Sequence, residues 1–89
     1  MPAITLTIQN AVGLHARPAA LFVQEASKHR AEIQVRNGDL AANAKSILSI
    51  LTLGAEQGSV ITVSAEGEDA VQALAALQAL VESDFGEAG

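Results

Sequence analysis

Apolar residues in this 89-residue chain recur at two different spacings, and the order of these spacings limits the fold. Residues 4–8 alternate apolar and polar side chains, which is typical of a half-buried strand. Residues 16–28 repeat apolar side chains at the period of a helix, and Pro18 stands where the first turn would lie. The alternating pattern returns at 32–36 and at 60–64, which predicts two more strands.

Turn and capping residues indicate a hairpin and a short helix. Asn37-Gly38 is the strongest short hairpin signal, because both residues tolerate the positive φ of a tight turn, and residues 40–44 would form the short return strand. The apolar run 47–53 could be a strand. We predict a short helix instead, because Ser46 is a good N-cap and Gly54 a good C′ residue.

A last helix is predicted from about residue 70 to residue 84. Asp69 and Gln72 lie three residues apart and resemble a capping box, and the tail 86–89 is expected to fray. The apolar residues that would form the core face of this helix are Val71, Leu74, Leu77, Val81 and Phe85.

The resulting order, β-α-β-β-α-β-α, predicts an α+β fold in a single domain over residues 1–89. Segments this short pack most economically as a four-stranded antiparallel sheet with three helices on one face. The other face would be solvated, which fits the polar residues that alternate along the strands.

Charge and composition narrow the function. All five basic residues lie in 1–45 against three acids, whereas 46–89 holds seven acids and no base. With only two aromatic residues, this pattern disfavours nucleic-acid binding and favours one compact anion or an acidic partner. The chain has no cysteine, no apolar run long enough for a membrane span and no signal-peptide pattern, so we expect a cytoplasmic domain without membrane contact.

His15 is the most informative side chain. It lies just before the helix that Pro18 opens, where the amides of Ala16 and Arg17 would be free to bind an anion. An unprotonated imidazole is a nucleophile, and Arg17 could place a guanidinium beside a bound phosphate. These residues together suit a phosphoryl acceptor, although a histidine in a surface turn would look the same.

Three segments resemble one family. Segment 13–20, Gly-Leu-His-Ala-Arg-Pro-Ala-Ala, resembles the active-site motif of HPr, the phosphocarrier of the bacterial phosphoenolpyruvate–sugar phosphotransferase system. Segments 44–47 and 52–54 are similar to the family's second motif, and 64–70 to its third. The spacing needs no gaps and covers essentially the whole chain. The resemblance implies an open-faced β-sandwich.

The resemblance also implies a specific role. Enzyme I would phosphorylate Nδ1 of His15, and phospho-His15 would pass the group to the IIA domain of a sugar permease. Arg17 would neutralise the phosphoryl group, and Ala16 and Arg17 would bind it. The protein would then be a relay component and not an enzyme, with no metal and no cofactor.

The resemblance extends to regulation at Ser46, with one departure at position 12. Ser46 matches the serine that HPr kinase/phosphorylase modifies in many bacteria, while enteric members keep the serine without that use. Many members carry Ser or Asn where this chain has Val12, which predicts altered stability of phospho-His15.

Surplus apolar residues predict a partner surface beside His15, unless they only enlarge the core. Family members bind both enzyme I and IIA through this region, and we expect a monomer. The predicted surface, called the docking surface below, comprises Ala20, Leu21, Gln24, Ile47, Leu48 and Leu51. His29 is predicted to be a solvated residue at the helix end.

Two other functions stay open at this stage. The chain could be a regulatory interaction module, in which phospho-Ser46 binds a catabolite-control transcription regulator. It could also be a carrier in a nitrogen-related relay.

Overall fold

A computed structural model describes residues 2–87, and in it one antiparallel sheet of four strands forms the base of the molecule. The spatial order is β1-β4-β2-β3, so β1 and β3 are the edges and β4 is central. The strands are β1 Ala3–Thr7, β2 Glu32–Asn37, β3 Leu40–Asn43 and β4 Val60–Glu66.

Helices cover one face of this sheet, and the strands leave the other face to solvent. The three helices of ordinary hand are α1 Ala16–Ser27, α2 Ile47–Thr52 and α3 Ala70–Glu82. Along β2 and β4, exposed residues alternate with buried ones, as the sequence predicts for a sheet covered on one side. The α+β open-faced architecture is therefore confirmed. Within residues 2–87, none of the helices has the length and apolar character needed to cross a membrane.

The hairpin between β2 and β3 differs from the prediction by one residue. Asn37 pairs with Leu40, so the two loop residues are Gly38 and Asp39. Only Gly38 has a positive φ, +62°, which fits a turn with glycine at the first central position. Asn37 stays in the strand, and its Nδ2 donates to the carbonyl of Leu53 at 2.9 Å, which ties the hairpin to the end of α2.

The predicted core face of the last helix is wrong at Val71, and the helix ends two residues earlier than predicted. Val71 is 68% exposed, because the buried residues of α3 are Ala70, Ala73, Leu74, Leu77 and Val81. Phe85 is buried as predicted, but α3 ends at Glu82. A short left-handed turn, α4 Asp84–Glu87, carries the ring into the core, with φ of +54° at Asp84 and +58° at Phe85. Residues 88–89 of the predicted frayed tail lie outside the described residues.

The core between sheet and helices is built mainly from aliphatic side chains. Phe22 of α1 is fully buried and belongs to the same core cluster as Val35 and Val63 from the central strands. Alanines allow the helices to approach the sheet closely, so a small chain can still enclose its apolar side chains. This packing fixes the two ends of α1, where both histidines of the chain lie.

Candidate functional site

His15 lies at the N-terminal end of α1, as the sequence predicts. It is the N-cap residue, with extended backbone angles of φ −130° and ψ 163°, and its side chain makes no capping hydrogen bond. The imidazole is half-buried rather than fully exposed. Because first-turn amides have no partner within the helix, those of Ala16 and Arg17 remain available to an anion next to the ring.

Ala16 has an unusual backbone conformation at this point. Its φ is +52°, in the left-handed region that side chains with a Cβ rarely adopt. Such a residue costs about 1–3 kcal/mol and persists only where the surrounding structure holds it. Here the next two positions after Arg17, Pro18 and Ala19, are buried and anchor the helix. The strained residue therefore directly follows the phosphoryl-acceptor candidate and separates the two first-turn amides, those of Ala16 and Arg17.

The loop before His15 is attached to the segment that follows α2. Gly13 is buried with φ +69°, and a Cβ there would collide with the carbonyl oxygen of Ala55. The amide of Leu14 donates to the same oxygen at 2.9 Å, and the Leu14 side chain is fully buried. These contacts bring the His15 loop and the end of α2 to the same end of the molecule.

Ser46 caps α2, as predicted. Its Oγ accepts a hydrogen bond from the amide of Ser49 at 3.3 Å, and the chain turns at Gly54, where φ is +63°. The hydroxyl is half-buried and used by the helix, so a modifying enzyme would have to replace this hydrogen bond.

Two side chains that the sequence analysis overlooked hold Ser46 in position. Asn43 Oδ1 accepts from the amide of Lys45 at 2.9 Å, and Lys45 Nζ donates to the carbonyl of His29 at 2.6 Å. An asparagine before a helix start signals such a turn, but the long-range bond of Lys45 depends on tertiary packing.

Residues of the predicted docking surface lie on two helices that touch each other. On α2, Leu48 is 73% exposed, and Ile47 and Leu51 are also exposed. On α1, Gln24 is exposed, whereas Ala20 and Leu21 are half-buried, and Leu21 packs against the core. The apolar exposure is therefore concentrated on α2. Val12, on the loop before His15, adds a further exposed apolar side chain at 45%.

The prediction that His29 is a solvated residue is wrong. Its side chain is only 16% exposed and lies between two carboxylates. Nε2 is 3.1 Å from Glu25 Oε2, and Nδ1 is 3.7 Å from Asp69 Oδ2. Lys28, the residue before His29, is exposed and pairs with Glu25 at 3.4 Å.

The predicted capping role of Asp69 is also wrong. Its carboxylate makes no cap to α3 and instead accepts the amides of Arg30 at 2.9 Å and Ala31 at 2.8 Å. The bond from Arg30 lowers the pKa of Asp69, burial opposes it, and the bond from Ala31 adds to the lowering. The capping-box pattern misled because this carboxylate is used by a segment 38 residues earlier in the chain.

Glu25 is the second carboxylate beside His29 at this end of α1. Burial acts to raise the pKa of Glu25, but hydrogen bonds with His29 and Lys28 outweigh it, so the pKa lies below its ordinary value. Among residues 2–87 no group of three His, Cys, Asp or Glu side chains is arranged to hold a metal ion.

Comparisons with known proteins bear on the whole chain. Residues 3–83 match the family model described as the PTS HPr component phosphorylation site. The phosphocarrier protein HPr of Haemophilus influenzae is 49% identical over 69 residues, which covers 78% of this chain and 81% of that protein. An HPr crystal structure from Thermoanaerobacter tengcongensis superposes with a TM-score of 0.95 at 52% identity, covering 97% of both chains. A structure described as an HPr dimer from the same organism has a TM-score of 0.78 at 52% identity, covering 97% of this chain and 99% of that one.

Proposed function

The chain belongs to the HPr family of phosphotransferase-system phosphocarriers, and on this basis we propose that His15 accepts a phosphoryl group from enzyme I and passes it to the IIA domain of a sugar permease. The transfer is a relay step, so the protein is consumed and regenerated by its partners and catalyses no turnover of its own. The bond between phosphorus and the donor breaks as a bond from Nδ1 to phosphorus forms, and the electron pair of the broken bond stays with the donor.

One observation carries this proposal: a half-buried imidazole is the N-cap of α1, beside the exposed residues Ala16 and Arg17, whose first-turn amides have no partner within a helix. The amides of Ala16 and Arg17 and the positive end of α1 favour the negative oxygens of the incoming group. The Arg17 side chain is exposed, so it is free to swing onto the same oxygens when they arrive. Val12 has no polar atom to add, so these groups do the binding alone.

Ser46 is the proposed regulatory site, and its phosphorylation would act on the docking surface. HPr kinase/phosphorylase would phosphorylate Ser46. This residue is the N-cap of α2, the helix that carries the exposed Leu48 and Leu51. A phosphate placed there adds charge to an apolar surface that a partner must cover, which lowers affinity for enzyme I. A catabolite-control transcription regulator would then bind the docking surface that carries phospho-Ser46.

The experiment for this function uses the full chain with enzyme I and phosphoenolpyruvate. The expected result is a gain in mass of one HPO₃ group that is lost in acid, as a phosphoramidate is, followed by transfer to a purified IIA domain. Absence of the mass gain under conditions that phosphorylate a known HPr would reject the phosphocarrier role. A gain stable to acid would indicate a hydroxyl acceptor and favour the regulatory module. Phosphoryl transfer with nitrogen-related partners, in place of the partners from sugar transport, would favour the carrier of a nitrogen-related relay.

The same sample tests the proposed monomeric state. Size-exclusion chromatography with light scattering should give the mass of a single chain. A concentration-dependent doubling would place this protein with its dimeric relative.

A further inference from the structure

Asn10 closes the turn that precedes His15. Its Nδ2 donates to the carbonyl of Gly13 at 2.9 Å, while the amide of Gly13 donates back to the carbonyl of Asn10 at 3.2 Å. The turn over Asn10–Gly13 is thus closed by one backbone bond and one side-chain bond in opposite directions. Ala11 and Val12, at its tip, are exposed.

This asparagine lies in an unusual environment. It is 5% exposed and is the one buried polar side chain among residues 2–87. Its Oδ1 is buried without a hydrogen-bond partner, which is unfavourable for folding. An apolar side chain of similar size would avoid that penalty but could not donate to the Gly13 carbonyl. The distinctive contribution of Asn10 is therefore the bond from Nδ2.

The bond from Nδ2 acts on the part of the chain that delivers His15. Gly13 cannot shift toward Ala55, because the two backbones are already in contact, and Leu14 is held by its bond to Ala55 and by complete burial. The next two residues are His15 and the left-handed Ala16. A strained residue needs support on both sides, and the side before Ala16 is this turn.

We propose that Asn10 is a positioning residue for phosphoryl transfer, which keeps His15 and the strained Ala16 in the geometry that presents the first-turn amides to the phosphoryl group. The inference rests on the proposed function of His15. Without the Nδ2 bond, the peptide group of Gly13 and Leu14 is held only by the bond from the Leu14 amide to Ala55, so the backbone before Ala16 can tilt and the strain at Ala16 can relax. The docking surface on α1 and α2 is not involved, so partner affinity is unaffected.

The test compares Asn10→Asp and Asn10→Ser with Gln57→Ala. Asn10→Asp keeps the shape of the side chain but removes the donor, whereas Asn10→Ser keeps a short donor. Gln57→Ala is the control. It removes a hydrogen bond of similar length, 3.0 Å from Gln57 Nε2 to the carbonyl of Gln9, which precedes Asn10 and lies outside the turn. For each variant the rate of His15 phosphorylation is measured against protein concentration with enzyme I in trace amount.

Asn10→Asp should lower the saturating rate about tenfold, since small misplacements of a reacting group cost of this order, and leave KM within twofold. Asn10→Ser should recover part of the rate, and Gln57→Ala should match the unmodified chain. An unchanged saturating rate in Asn10→Asp would overturn the proposal, as would an effect confined to KM. Loss of folding in both Asn10 variants would overturn it too, because Asn10 would then support the whole domain and not the site.

A second measurement is independent of phosphorylation. Amide chemical shifts recorded without enzyme I should move at Ala16 and Arg17 in Asn10→Asp and stay in place in Gln57→Ala. If the unmodified chain accepts no phosphoryl group, the proposed function of His15 fails, and these shifts alone decide whether Asn10 sets the local geometry. Unmoved shifts at Ala16 would reject that local role.

Discussion

The two ends of α1 each carry a histidine, and the groups that face the two rings differ. At the N-terminal end, His15 stands beside unpaired amides, the positive end of the helix and Arg17. At the C-terminal end, His29 lies between the carboxylates of Glu25 and Asp69. The negative oxygens of a phosphoryl group would be attracted to the amides beside His15. Both ring nitrogens of His29 already face carboxylates, which would repel those oxygens, although Lys28 and Lys45 lie nearby.

The difference shows that neither residue type nor exposure alone distinguishes the proposed acceptor from the other histidine. Both rings are at least partly buried, and both nitrogen atoms of His29 are within reach of an oxygen. What separates them is the groups that each ring faces. His15 lies beside first-turn amides, whereas His29 faces two carboxylates, one of them from the distant residue Asp69.

The largest expected effect comes from removing each histidine in turn. His15→Ala should abolish phosphorylation by enzyme I, because the nucleophile is lost, while the circular dichroism spectrum stays native. His29→Ala should keep phosphorylation at a rate close to that of the unmodified chain. Mass spectrometry after incubation with enzyme I and phosphoenolpyruvate measures both, and a phosphorylated His15→Ala protein would assign the acceptor elsewhere.

The next effect reverses the charge at the N-terminal end. Arg17→Glu should slow transfer about tenfold to a hundredfold, since a hydrogen bond to a charged group contributes roughly 1.5–3 kcal/mol. Stability should change little, because the Arg17 side chain is exposed. Arg36→Glu, which makes the same charge change on the open face of the sheet, serves as the control. Equal rates for the two variants would remove Arg17 from the site.

A smaller effect is expected from charge on the docking surface. Ser46→Asp keeps an N-cap, so folding should be almost unchanged, but docking would bury an unpaired charge and weaken the apparent affinity for enzyme I about tenfold. Added salt should restore part of this affinity. Phosphorylation rate against protein concentration measures it, with Thr62→Asp on the open face as the control. Superimposable curves would leave Ser46 with its capping role only.

The smallest effect concerns stability at the C-terminal end. The pKa values of Asp69 and Glu25 are lowered in the folded protein, so their contribution is complete above the ordinary values of 3.8 and 4.5 and is lost as pH falls through the lowered values. Asp69→Asn should therefore lower Tm at pH 7 and flatten its fall in acid. Glu68→Gln, an exposed neighbour, should leave the curve unchanged. Parallel Tm curves for Asp69→Asn and the unmodified chain would show that the carboxylate charge is not used.

Local signals in the sequence were sufficient for the elements and for the N-terminal end. Ser46 and Gly54 mark the ends of α2, and the step from Gly13 to Pro18 locates His15 at a helix start, because capping and turn residues act within a few positions of themselves. The C-terminal end was mispredicted because it depends on contacts between segments far apart in the chain. Asp69 caps nothing locally, and only the packing of α3 beside the end of α1 turns it toward Arg30, Ala31 and His29.

The same limit explains the other errors. Val71 and Leu74 both fit a helical repeat, and the sheet beneath decides which of them is buried. Asn10 was not predicted as a site residue. Its bond to Gly13 is local, but its burial depends on contacts between segments far apart in the chain.

The two ends of α1 are far enough apart that dissolved salt screens the charges at one end from those at the other. Twelve residues at 1.5 Å each span about 18 Å, roughly twice the Debye length at physiological ionic strength. A change of charge near His29 is therefore screened before it reaches His15. Substitutions around Glu25 and Asp69 should therefore change the acid stability of the fold with little electrostatic effect on a phosphoryl group at His15.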